Sequence, residues 1–263
     1  MTTTDTKTEL RQGGQGEYQL KGRVAVVTGA SSGIGEATAH RLAASGAIVV
    51  VGYNHGEERA KAVIKALPGE GHIALRMPMA DTAMIRQAAR EVERTFGRTD
   101  VLVNSAGIAR VIPHADLDAL DDATFDEIMV TNTRGPFATI RAFVALLKRS
   151  GDGVIVNISS LAGMTAHGSS IAYCASKAAI DVMGMSLARV LGPEVRVIGI
   201  SPAAVATPIL PELGRARVER QAAITPLKTV TEPDDIALSV MAAITHLRLM
   251  TGSTLVVDGG RHL

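Results

Sequence analysis

The sequence predicts a doubly wound α/β protein, with one parallel seven-stranded sheet and helices packed on both faces. Two observations carry this. Short β-branched runs alternate with helix-forming stretches from residue 20 onward, the beat of repeated strand–helix units. Most of those runs are apolar throughout rather than at every second residue, as strands buried on both faces require. A chain of 263 residues can bury the core of one such domain, and no fixed-period repeat or internal linker divides it. A single domain over residues 20–263 is expected, after a flexible polar tail from Met1 to Gln19.

The elements follow in order. Arg23 to Thr28 reads as the first strand, ending in a Gly-rich turn, and Glu36 to Ala44 as the first helix, stopped by Ser45-Gly46. Ala47–Val51 is the second strand, Glu57–Leu67 a helix ending at Pro68-Gly69, and His72–Met77 the third strand. Asp81 is a suitable N-cap for a helix over Thr82–Phe96. Asp100–Val103 is the fourth strand, and Phe125–Arg149 a long helix with apolar residues at helical spacing. Gly153–Ile158, Val195–Ile200 and Ser253–Val257 complete the strands. Tyr173–Leu191 and Pro233–His246 complete the helices, the latter with proline in its first turn.

Composition narrows the function. The 27 Lys and Arg residues nearly balance 26 Asp and Glu, so neither nucleic acid nor an anionic membrane is favoured as a partner. With aromatics at 3% and no Trp, base stacking on a single strand is disfavoured. One cysteine, Cys174, excludes an internal disulfide framework and a cysteine zinc site. The seven histidines show no ligand spacing, so no metal is expected. No uninterrupted apolar run approaches the ~20 residues of a membrane span, and the first residues lack the apolar core of a secretory signal. A cytoplasmic protein is expected.

The turn Thr28-Gly29-Ala30-Ser31-Ser32-Gly33-Ile34-Gly35 joins the first strand to the first helix. Gly29 permits the tight turn, Gly33 lets backbone approach a pyrophosphate, and Gly35 lets the helix pack closely on the sheet. The helix N-terminus then faces the phosphates. Placed after the first strand of an alternating pattern, the turn reads as a Rossmann-type dinucleotide site. An acidic residue ending the second strand would bond the ribose hydroxyls and repel a 2′-phosphate. Here Tyr53, Asn54 and His55 stand instead. NADP(H) is therefore favoured and NAD(H) is the alternative. Neither Arg nor Lys occupies Ser32, Tyr53 or Asn54; His55 and Arg59 are equally well read as phosphate contacts or as ordinary exposed loop.

Tyr173 and Lys177 stand four residues apart on one helix face. A phenol beside an ammonium can serve as an acid or base for a carbonyl–alcohol pair. Ser160 ends a strand, where ligands bind in open α/β sheets.

With these residues in place, the chain resembles the short-chain dehydrogenase/reductase family from Leu20 to Gly260. The resemblance rests on the Gly-rich turn, Asn104-Ser105-Ala106-Gly107, Asn132, Ser160 thirteen residues before Tyr173, Tyr173-Cys174-Ala175-Ser176-Lys177, and Val257-Asp258-Gly259-Gly260. It implies that Tyr173 protonates the carbonyl oxygen, or deprotonates the alcohol in the reverse direction. Lys177 is implied to bond the nicotinamide ribose and lower the Tyr173 pKa, and Ser160 to hold the substrate oxygen. Asn132 is implied to break its helix and position a water. Asn104, Ala106 and Gly107 are implied to line the adenosine side, with Met79, Pro202, Val205 and Thr207 as further cofactor contacts. Pro78 stands where many members have Asp, and Ala203 follows Pro202 where Gly is usual.

By overall pattern the chain resembles 3-oxoacyl-acyl-carrier-protein reductases. Of the basic residues that carrier-protein docking uses, Lys148 and Arg149 alone fit, so a small-molecule carbonyl or alcohol is the favoured partner and a carrier protein is weakly supported. The segment from Ala203 to Thr225 is expected to cover the substrate. Its apolar residues are Ile209, Leu210, Pro211 and Leu213, and its basic ones Arg215, Arg217 and Arg220. His167 and His114 are candidates for the rim, and Cys174 reads as a small buried residue. A homotetramer is expected. The favoured reading is an NADP(H)-preferring carbonyl reductase. An NAD-dependent alcohol or polyol dehydrogenase and a catalytically idle cofactor-binding sensor or scaffold are the alternatives.

Overall fold

A computed structural model of the chain describes residues 18–210 and 214–263. The expected tail up to Glu17, and Pro211 and Leu213 of the covering segment, lie outside the described residues. In chain order the elements are β1 (Val24–Thr28), α1 (Gly33–Ala44), β2 (Ile48–Tyr53), α2 (Glu57–Ala66), β3 (Ile73–Arg76), α3 (Thr82–Phe96) and β4 (Val101–Asn104). Then come α4 (Asp122–Met129), a π-helical turn (Val130–Arg134), α5 (Gly135–Arg149), β5 (Gly153–Ile158), α6 (Ala162–Thr165) and α7 (Ile171–Leu191). The chain continues with β6 (Val195–Pro202), α8 (Gly214–Ala222), α9 (Pro233–Thr245) and β7 (Ser253–Val257).

The seven strands form one sheet in the order β3-β2-β1-β4-β5-β6-β7, and every pairing is parallel. The expected α/β architecture is therefore present. Val24 to Val27, Val49 to Val51, Val101 to Val103 and Val154 to Val156 are buried, because helices cover both faces of these strands. One apolar cluster gathers Leu42, Val49, Val103 and Val240 on one face; the other gathers Ile85, Leu102, Phe143 and Ile155 on the opposite face. Strand order reverses between β1 and β4, and the crevice at such a switch point opens beyond the carboxyl ends of the strands.

Caps fix several helices in register. Asp81 accepts from Ala83 N and Met84 N ahead of α3, and Gly97 closes that helix in the left-handed conformation. Ser170 Oγ accepts from Tyr173 N at 3.2 Å and fixes the start of α7. A bidentate Arg41–Asp234 pair ties α1 to α9.

Three local differences from the sequence reading have physical reasons. The helix expected over Phe125–Arg149 starts at Asp122, capped by Asp121, and is interrupted at Val130–Arg134. Within the covering segment, α8 is a polar, exposed helix without the apolar stripe that would announce it. Tyr18, expected in the tail, is buried: its hydroxyl donates to Asp152 O at 2.9 Å and accepts from Arg23 Nη1 at 2.7 Å. The Tyr18 ring lies 3.9 Å from the Arg23 guanidinium and 5.1 Å from that of Arg248, and burial pushes its phenol up to about 12.

Among the described residues, α7 is the one helix long and apolar enough to cross a membrane, with mean hydropathy 1.2. It carries Lys177, Asp181 and Arg189 and packs against β6, the place of a sheet-covering helix.

Candidate active site

A cavity of about 1390 Å³ lies beyond the carboxyl ends of the strands. Its nucleotide end is built by the turn after β1. Gly29 has φ +66°, and a Cβ there would sit 2.8 Å from Ala106 Cα. A Cβ on Gly35 would sit 2.5 Å from Gly29 O, so only glycine lets α1 close on its own turn. Ser32 caps α1 by position, but its hydroxyl makes no capping bond, which leaves first-turn N–H groups free for an anion. Thr28 Oγ1 accepts from Ser105 N and Ala106 N, each at 3.1 Å, and draws the loop after β4 against the turn.

Beside this turn lie Tyr53 at the end of β2, then Asn54 and His55. Arg59 reaches back from α2. A Cβ on Gly56 would lie 2.6 Å from Arg59 Nη2 and 3.0 Å from Ser31 Oγ. The guanidinium and the Ser31 hydroxyl thus flank the space that this glycine leaves open. Among the described residues the Arg59 guanidinium has no hydrogen-bond or ion-pair partner. A tight turn that only glycine permits, an uncapped helix terminus and this cationic corner together fit a dinucleotide.

The chemical end is carried by β5, the loop after it and α7. Ser160 neighbours Tyr173 and lowers its pKa, and both line the cavity. Lys177 is buried; its Nζ donates to Ile158 O at 2.9 Å and lies 5.7 Å from the centre of the Tyr173 ring. Burial lowers the Lys177 pKa to about 8, partly opposed by the Asp181 carboxylate. Asp181 is anchored by Ser159 Oγ at 2.8 Å and Thr254 Oγ1 at 3.0 Å. Burial raises the Tyr173 phenol above its ordinary value, with the Ser160 hydrogen bond and Arg217 pulling the other way. The expectation that Lys177 depresses this pKa is not met, because desolvation of the phenol outweighs its neighbours.

The sequence-derived positions Gly29, Ser31, Ser32, Gly33, Ile34, Tyr53, Asn54, His55, Met79, Ala106, Gly107, Pro202, Val205 and Thr207 all line the cavity with Ser160, Tyr173 and Lys177. Three others stand behind its wall. Gly35 packs the turn, as its Cβ clash requires. Asn104 is buried and donates to Asn157 Oδ1 at 2.9 Å, joining β4 to β5. Asn132 Oδ1 accepts from Ile108 N at 2.8 Å, while its Nδ2 donates to Ile108 O and to Ser176 Oγ. This carboxamide clamps the loop after β4 to α7 at the π-helical turn, a frequent deviation at functional sites.

His114 and His167 line the rim, with His167 Nδ1 2.8 Å from Thr165 O. Cys174 is buried and fills the space beside Gly168, where a Cβ would lie 2.7 Å from its Sγ; burial raises its thiol pKa. Sequence reasoning left Arg59 undecided and missed the Arg110–Glu127 pair, at 3.1 Å, and the C-terminal residues Arg261 and His262 in the lining. The last two had a signal: they directly follow β7, so the chain leaves them at the same end of the sheet as Ser160.

Comparison with known proteins identifies the family. The short chain dehydrogenase family pattern matches residues 23–217. D-threitol dehydrogenase of Mycolicibacterium smegmatis is 38% identical, covering 93% of this chain and 94% of its own. The 3-oxoacyl-acyl-carrier-protein reductase FabG of Thermotoga maritima is 31% identical, covering 92% of this chain and 98% of its own. A short chain dehydrogenase from Burkholderia cenocepacia, solved in complex with NADP, superposes with TM-score 0.83 at 32% identity, over 94% of this chain and all of the other. The chain belongs to the short-chain dehydrogenase/reductase family and is an NAD(P)-dependent oxidoreductase.

Proposed function

We propose that the chain is an NADP(H)-preferring reductase that converts the carbonyl of a small ketone into an alcohol. The observation that carries this is that Ser160 and Tyr173 line one cavity as neighbours, with burial keeping the Tyr173 proton in place. A protonated phenol is an acid, suited to an oxygen that gains negative charge during reduction. When bound, the nicotinamide supplies the hydride. Ser160 donates a hydrogen bond to the substrate oxygen and fixes its orientation. Tyr173 Oη gives up its proton to that oxygen as charge develops there. Lys177, an ammonium at neutral pH with a pKa of about 8, stabilises the phenolate left behind. Asn132 holds α7 against the loop after β4 and so keeps Tyr173 and Lys177 in register.

The cofactor preference rests on Arg59 beside Ser31 and on the absence of a carboxylate at the end of β2. A 2′-phosphate there would meet a planar guanidinium suited to phosphate oxygens. The small-molecule reading is supported by the docking candidates: Lys148 pairs with Glu194 and Arg149 with Glu93, at the end of α5 that leads into the amino end of β5, away from the cavity. Exposed Phe125, Phe137, Val182 and Met185 on α4, α5 and α7 support a homo-oligomer, a tetramer in our reading.

The test is a matched NADPH and NADH titration followed by turnover on a ketone panel. Tighter NADPH binding, eroded in Arg59→Ala, with ketone reduction lost about 10²- to 10⁴-fold in Tyr173→Phe, supports the proposal. Preference for NADH with oxidation of polyols would move the assignment toward the D-threitol dehydrogenase relative. Unchanged turnover in Tyr173→Phe would overturn the role of the phenol.

A further inference from the structure

The cavity carries more positive charge at its chemical end than a neutral ketone needs. Among the described residues Glu127 is the one acidic side chain in its lining, and Arg110 neutralises it through 3.1 Å contacts to both carboxylate oxygens. Asp258, just outside, is saturated by the backbone N–H groups of Gly260 and His262 and by the His262 ring.

Two cations in the lining are left over. Arg217 projects from α8, and Arg261 stands on the turn after β7. Among the described residues neither guanidinium has a hydrogen-bond or ion-pair partner. Their neighbours on α8 behave differently. Arg215 is paired with Glu219 and Glu232, and Arg220 is exposed outside the lining. Arg217 is half-buried and bears electrostatically on the Tyr173 hydroxyl. Arg261 follows β7, whose last residue, Val257, pairs with Pro202 in the cavity wall. Arg217 therefore lies toward Tyr173 and Arg261 at the same carboxyl end of the sheet, while the nucleotide phosphates have the α1 terminus and Arg59.

Arg217 is half-buried and Arg261 is exposed at the edge of the same cavity, and an unpaired guanidinium beside a partly desolvated space is stabilised by an anion that enters it. A guanidinium binds carboxylate or phosphate oxygens in a fork. We infer that the substrate carries an anionic group, a carboxylate or a phosphate, on the same small molecule as the reacting carbonyl, and that Arg217 and Arg261 bind that group beneath α8. This deepens the reductase reading and rests on its placement of the carbonyl at Tyr173 and Ser160.

The test compares charged and neutral members of matched pairs. One arm uses 4-oxopentanoate and its methyl ester, the other dihydroxyacetone phosphate and dihydroxyacetone. Each is measured for binding to the NADPH-loaded enzyme by calorimetry and for turnover. In one arm the anion should be preferred about 10- to 100-fold in kcat/KM or Kd, as expected for a charge-assisted contact, and the arm that shows it identifies the group. Arg217→Ala and Arg261→Ala should each cut that preference at least fivefold, chiefly through KM. Arg217→Lys should restore part of it, and Arg220→Ala should leave it intact. Reduction of neutral ketones with no anion preference in either arm overturns this inference and leaves the reductase reading standing. Anion binding that depends on Arg217, without reduction of any ketone, supports the subsite and overturns the reductase reading. Equal anion preference in Arg217→Ala, Arg261→Ala and the parent enzyme also overturns the inference.

Discussion

Replacing Lys177 with methionine should make the cofactor-free protein more stable at neutral pH while removing its activity. Lys177 is 6% exposed, and its pKa falls from 10.5 to about 8. That fall corresponds to roughly 3 kcal/mol against holding the ammonium in the fold. The unfolded chain binds more protons than the folded one between pH 8 and 10.5. The penalty is thus fully present below pH 8 and is relieved as pH rises through the unfolded value. By pH 10 all but about 1 kcal/mol of it has gone. Methionine keeps a similar length, carries no charge and forfeits the bond to Ile158 O, worth about 1 kcal/mol at either pH. Urea unfolding of both proteins, at equal protomer concentration and ionic strength, gives the comparison. The stability of Lys177→Met relative to the parent should be about 2 kcal/mol greater at pH 7 than at pH 10. Tyr18, Tyr173 and Cys174 also titrate in alkali, but they are present in both proteins and largely cancel in the difference. A difference that does not change with pH, or that grows toward pH 10, would refute the reasoning.

Gly56→Ala should lower the NADPH-over-NADH preference by about tenfold, the scale of one charge-assisted contact, with little loss of stability because residue 56 has φ −101°; equal titration curves for both proteins would count against the Arg59 corner. Asp181→Asn keeps a partner for Ser159 and Thr254 but removes the charge that raises the Lys177 pKa. The alkaline limb of its pH–rate profile should therefore move to lower pH, and an unmoved limb would show that Lys177 does not set it. Tyr18→Ala should destabilise the protein by about 3 kcal/mol in thermal or urea unfolding, yet leave NADPH affinity unchanged, since Tyr18 bonds Asp152 at the amino end of β5. Loss of cofactor affinity without loss of stability would contradict that placement.

The sheet was legible because parallel strands covered on both faces cannot hide: Val24–Val27 and Val154–Val156 are apolar runs with no competing reading. Ser160, Tyr173 and Lys177 were legible for another reason, since a four-residue helical spacing and a strand end bring them to one side of the sheet. What resisted reading depends on contacts between distant parts of the chain. Nothing local to Arg59 says that Gly56 leaves it room beside Ser31. Nothing local to Arg217 separates it from Arg215 and Arg220, and only the cavity wall and the acids at 219 and 232 do so. Asn132 was found as a helix breaker, but its bonds to Ile108 and Ser176 belong to tertiary packing. The burial that raises the Tyr173 pKa is likewise a product of tertiary packing, whereas the sequence shows only the neighbouring ammonium.

The thiol wedged beside Gly168 has a practical use. Cys174 is the sequence's one cysteine, next in the chain to Tyr173 and sheltered by the loop between α6 and α7. Alkylation at that sulfur requires the loop to lift, so the labelling rate clocks its opening with no background from other cysteines. A cavity ligand that pins the loop would slow the reaction, which gives a screening readout that needs neither hydride chemistry nor knowledge of the substrate.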